Sequence, residues 1–159
     1  MAKITIDYTT LCGSGHPGAN TGFGCVLRQK VNCVSTPLTA AKSYSLIKVP
    51  KGFVARHALV RIITPSETAI TLSFGSNVKD GGGTQIVYNA AVAANAAAET
   101  LTLLDIDKPT ETDNANVTAK TVADDSTYIV VIPSATLSDA VFEVSLAGDY
   151  MLNPSDSAL

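Results

Sequence analysis

The chain has 159 residues, a net charge of −3, 46% hydrophobic residues and only 16% charged ones. That length suits one domain burying about two-thirds of its unfolded surface, with a core large enough to need no disulfide framework. The lysines and arginines stand singly (Arg28, Lys30, Lys42) and form no basic stripe, which argues against a nucleic-acid partner; no apolar run nears the ~20 residues of a membrane span.

The opening, MAKITIDYTT, lacks the apolar segment of a signal peptide, so synthesis and folding in the cytoplasm of the producing cell are expected. Residues 1–40 read as an irregular, Gly-rich N-terminal arm and loop region, 41–152 as a β-sandwich domain, and 153–159 as a C-terminal tail. The stretch Gly13–Gly24 holds too many glycines for a regular element, because each raises the entropy lost on folding. Strands are expected over 26–34, 43–49, 54–64, 68–75, 84–89, 100–106, 127–132 and 141–147, with a weaker candidate over 117–122.

The clearest of these signals lies between Ser45 and Phe74. Ile70, Leu72 and Phe74 alternate with Ala69, Thr71 and Ser73, the period of a strand with one buried face. Pro50-Lys51-Gly52 and Pro65-Ser66-Glu67 punctuate the segment where strands should end. Lys79–Thr84, with three consecutive glycines, reads as a hairpin loop. The Ala-rich segment Asn89–Thr100 has helix-forming composition but little to bury, so it reads as a one- to two-turn helix or an extended rim loop. In 127–132 nearly every position is apolar, which predicts burial on both faces or a contact with another subunit. In 141–147, Phe142, Val144 and Leu146 should point inward and Glu143 and Ser145 outward.

Candidate chemistry is sparse. Cys12, His16, Cys25 and Cys33 are four potential zinc ligands, but only Cys12 and His16 have compact ligand spacing. The better reading is three reduced, partly buried thiols; a Cys25–Cys33 bridge across a hairpin is the alternative. Ser14 beside His16, and His57 next to Arg56, supply no assembled nucleophile, base and orienting acid. Asp105, Asp107, Glu111, Asp113, Asp124 and Asp125 read as a solvated polar loop rather than a calcium site, since Lys108 and Pro109 interrupt them. Tryptophan is absent and aromatics total 6%, a poor supply for a sugar-stacking platform. The glycines of 13–24 are followed by no Walker lysine. No catalytic residue, metal or cofactor is expected, and the chain reads as a non-enzyme.

Three stretches carry a resemblance. SYSLIKVPKGFVARHALVRIITP, TAITLSFGSNVKDGGGT and STYIVVIPSATLSDAVFEVSLAGDYM, the last ending in Asp149 and Tyr150, resemble bacteriophage head decoration, or capsid cement, proteins. The resemblance implies an all-β, jelly-roll-like antiparallel β-sandwich on the capsid exterior. There it would staple neighbouring major capsid protein subunits, as a dimer or trimer, without catalytic residues. On that reading the N-terminal arm would order on the shell or on a neighbouring copy, with Ile4, Ile6, Tyr8 and Phe23 as anchors or as residues of an ordinary edge strand and loop. The alternative is a tail or fibre β-sandwich that binds a host receptor or glycan; a polysaccharide-cleaving enzyme would need a carboxylate pair in a cleft.

Overall fold

The computed structural model describes residues 25–50, 53–78, 86–106 and 127–150. Eight strands occur among them: β1 (Cys25–Asn32), β2 (Tyr44–Lys48), β3 (Phe53–Thr64), β4 (Thr71–Val78), β5 (Ile86–Ala93), β6 (Leu101–Leu104), β7 (Thr127–Pro133) and β8 (Val141–Tyr150). No helix is present among the described residues.

All strand pairs are antiparallel, and they build two four-stranded sheets ordered β1-β8-β3-β6 and β2-β7-β4-β5. Successive strands from β1 to β4 alternate between the sheets, and so do those from β5 to β8. This is the eight-strand, double Greek key jelly roll that the sequence led us to expect. β1 lies inside the 1–40 stretch and is already an edge of the sandwich.

The alternation seen in the sequence builds the core. Ile70, Leu72 and Phe74 are buried, as are Phe142, Val144 and Leu146, whereas Glu143 and Ser145 are half-buried on the opposite face. Phe74 of one sheet meets Phe142 of the other edge-to-face, with ring centroids 5.9 Å apart at 84°, the arrangement favoured by the quadrupoles of aromatic rings. In β7, Ile129 and Val131 join the core cluster, while Val130, on the alternate face, is also fully buried. The apolar run thus reflects burial on both faces.

Two sequence expectations are corrected. The Ala-rich segment forms no helix. β5 continues through Ala93, whose partner is Thr71, and the chain then turns, with Ala94 fully buried and its N–H donating to the Ile70 carbonyl at 2.8 Å. Helix propensity yields here to strand pairing and to a buried backbone bond. The expected strand over 68–75 starts only at Thr71. The residues before it are held in a turn, where the Thr68 N–H donates to the Ser66 hydroxyl at 3.1 Å, a side-chain bond that competes with the strand ladder.

The connections β1–β2, β3–β4, β5–β6 and β7–β8 all lie at one end of the sandwich and are bonded to each other. Leu38 and Leu137, both fully buried, exchange N–H···O bonds of 2.9 Å, and the Cys33 N–H reaches the Ala140 carbonyl at 3.0 Å. The Ser66 N–H reaches Ala94 at 2.9 Å. Ala41 and Glu99 take positive φ of 59° and 66°. Each N–H there is held by a carbonyl, Ala41 by Pro133 at 2.9 Å and Glu99 by Ile62 at 2.7 Å, which offsets the cost of that conformation. At the opposite end the chain leaves the described residues before Cys25 and after Val78, Ile106 and Tyr150.

Candidate interaction surfaces

The two outer faces of the sandwich differ in chemistry. On the first sheet, register sets out rows across four strands: Leu103, Leu59, Ser145 and Arg28 form one, and Leu101, Arg61, Glu143 and Lys30 the next. Leu101 and Leu103 are each 63% exposed, and Leu59 beside them is half-buried. Arg28 and Lys30 are exposed on β1, at the other edge.

A β-bulge in β3 breaks the register between Ala55 and His57, so the intervening Arg56 and His57 are both exposed. Arg56 pairs with Asp149 of β8, and Arg61 Nε lies 3.4 Å from Glu99 Oε2. Opposite the bulge sits Gly148, buried beneath the Phe53 ring. A Cβ there would stand 2.1 Å from the Val54 carbonyl oxygen, so only glycine fits.

The corresponding face of the second sheet is largely uncharged and mostly covered, with Gly75, Asn77 and Val130 buried and Ser73, Tyr128 and Ile132 half-buried. Ser73, Gly75 and Asn77 of β4 lie opposite Ile132, Val130 and Tyr128 of β7, and Lys48 of β2 adjoins Tyr128.

Among the described residues, the candidate chemical groups are not brought together. Cys25 opens β1 and Cys33 directly follows its last residue, about 25 Å of extended chain away. They therefore neither bridge, since disulfides need Cα atoms within about 7 Å, nor share one metal ion. Cys33 is a free thiol, fully buried. Burial, with a smaller contribution from the Asp139 carboxylate, pushes its pKa up to about 12, which favours the protonated thiol. His57 faces outward, and Asp105 is exposed. Cys12, Ser14, His16, Asp107, Glu111, Asp113, Asp124, Asp125 and the strand candidate 117–122 lie outside the described residues, as do the proposed anchors Ile4, Ile6, Tyr8 and Phe23.

One polar cluster does assemble. Asp139 Oδ2 accepts the Glu67 N–H at 2.8 Å and the Ser66 hydroxyl at 3.2 Å, tying the β7–β8 connection to the β3–β4 connection. These bonds hold the carboxyl below its ordinary pKa, against a smaller opposing effect of desolvation. In the core, Tyr88 is pushed up by burial, partly countered by its hydrogen bond with Ser76.

Sequence reasoning did not single out Leu101 and Leu103. The available signal was parity: LTLLDI carries leucines on both alternations, Leu104 facing the core while Leu101 and Leu103 face out.

No protein-family model matches the chain, and no curated protein matches it. Solved structures do. A chain from the capsid of Ralstonia phage GP4 superposes with a TM-score of 0.56 at 13% identity, covering 87% of this chain and 91% of that one. A chain from the capsid asymmetric unit of cyanophage Pam1 gives 0.49 at 14% identity, over 87% of this chain and 92% of that one. The likeness is one of fold.

Proposed function

We propose that this protein is a non-enzymatic structural component of a bacteriophage virion, a cement protein that binds the outer surface of the capsid and holds neighbouring major capsid protein subunits together as a homo-oligomer. The observation that carries the reading is the end-to-end match of its jelly roll to a chain of the capsid of Ralstonia phage GP4, with 87% and 91% of the two chains covered. The residue-level picture is in keeping with it: a β-sandwich body, a buried thiol, and an Asp139 cluster that bonds loop to loop. Many copies on one shell would multiply modest single contacts into a strong collective effect.

Stoichiometry in purified particles tests the reading. Quantitative mass spectrometry of virions of the phage encoding this chain should find it in proportion to the major capsid protein, hundreds of copies per particle. A few copies per particle, co-purifying with tails, would instead establish the receptor-binding alternative.

A further inference from the structure

The outer face of the first sheet combines two features that the core does not explain. Its cations are Arg28, Lys30, Arg56 and Arg61, with His57 beside them, against Glu143 and Asp149, in a chain whose net charge is −3. Arg56 and Arg61 are engaged by Asp149 and Glu99, but Arg28 and Lys30 have no ion-pair partner among the described residues. Glu143 stands opposite Lys30 in register, so the surplus on this face is small and sits at the β1 edge, chiefly at Arg28, whose neighbour is Ser145. At the other edge, β6 presents Leu101 and Leu103 at consecutive outward positions next to Leu59. Single exposed leucines are ordinary. Here two stand at consecutive outward positions of one edge strand, each 63% exposed, and form a short apolar strip with Leu59.

We propose that this face docks on a protein surface presenting carboxylates beside an apolar strip; resting on the reading above, that surface is the capsid shell. Three strand spacings make the face about 14 Å wide, and the outward run from His57 to Ile63 makes it about 20 Å long. The area, on the order of 300 Å², is well under the ~800 Å² per partner of a standard interface. One copy alone grips weakly here, and an array of copies on a shell supplies what a single contact lacks.

The same figure excludes a stable dimer built on this face. Stacking two copies would set Arg28 and Lys30 either against their own equivalents or against Leu101 and Leu103, and neither pairing is favourable. The occupant is therefore an acidic partner rather than a second copy.

The test measures binding of the full-length chain to shells assembled without it, using two double variants that retain the wild-type thermal unfolding. Leu101→Ser with Leu103→Ser should weaken binding about a hundredfold, roughly tenfold per leucine. Arg28→Glu with Lys30→Glu should weaken it at least tenfold at low salt, a difference that shrinks as salt is raised. Lys42→Glu, in the β1–β2 connection, should bind as wild type. Wild-type binding unaffected by either double variant overturns the docking proposal alone. A leucine variant that loses oligomeric state while each oligomer still binds shells normally also overturns it, assigning the strip to contacts between copies. A wild-type chain that does not bind shells at all overturns the capsid reading and this proposal together.

Discussion

The inner and outer faces of the first sheet are made by the same four strands and have almost nothing in common. Inward, Val60, Ile62, Phe142, Val144 and Leu146 are at most 1% exposed. Outward, the alternate residues are Arg28, Lys30, Arg61, Glu143, Leu101 and Leu103. Because side chains alternate strictly along a strand, neighbouring residues can serve separate ends, one folding and the next recognition. The exception teaches the same rule. The extra residue at the Arg56 bulge resets parity, turning Arg56 and His57 outward together while Ala55 and Ala58 stay inside.

If the two faces are separable, substitutions inward should cost stability and leave surface chemistry alone. The largest effect is expected at Phe142, which is fully buried and packs edge-to-face on Phe74 across the two sheets. Phe142→Ala should destabilise by about 3–5 kcal/mol, combining lost transfer free energy with the cavity left behind. Urea denaturation would read this as a lower midpoint with an unchanged slope. A loss under 1 kcal/mol would mean that the sheets are not joined through this ring pair.

Next comes Gly148, one of the few positions where the two faces constrain each other. The bulge that exposes Arg56 brings the Val54 carbonyl against Gly148, 2.1 Å from where a Cβ would stand. No rotamer change relieves a clash with backbone, so Gly148→Ala should cost about 1–3 kcal/mol. Ser145→Ala, three residues earlier on the outward face, should stay within about 0.5 kcal/mol. Equal losses at the two positions, by thermal unfolding, would erase the distinction between the faces.

Much of this architecture was legible in the sequence, and the reasons are local. Strand β8 could be read because Phe142, Val144 and Leu146 alternate with Glu143 and Ser145, and β4 because Ile70, Leu72 and Phe74 keep their period even where the turn at Ser66 delays the strand. What escaped was decided by distant partners. Ala90–Ala94 has a helical composition, yet pairing with Thr71 and Leu72 and the bond from Ala94 to Ile70 fix it as strand and turn. The alternative of a Cys25–Cys33 bridge fails because Cys25 opens β1 and Cys33 directly follows its end, so that the extended strand separates them. The Leu101–Leu103 strip could not be assigned to a face without knowing that β6 pairs with β3 on one side, through Leu103 opposite Leu59. The anchors Ile4, Ile6, Tyr8 and Phe23 remain expectations from sequence.

The smallest effect concerns neither face but the bonded end that keeps them in register. Asp139 joins two connections by accepting from the Glu67 N–H and the Ser66 hydroxyl, and those donors favour its charged form. Its pKa in the folded chain is therefore below the ordinary value of 3.8 that it has when unfolded. Between those two values the unfolded chain binds a proton that the folded chain does not, so stability rises with pH across that window. The contribution is complete above about pH 3.8 and is lost as pH falls through the folded value. Asp139→Asn removes this titration while keeping an acceptor oxygen. The variant should melt below wild type at pH 7, and the gap should hold down to about pH 3.8 and narrow below it, closing as pH falls through the folded value. A gap that stays constant from pH 7 down to acid unfolding would show that the two connections are held by geometry alone, with the carboxylate's charge contributing nothing.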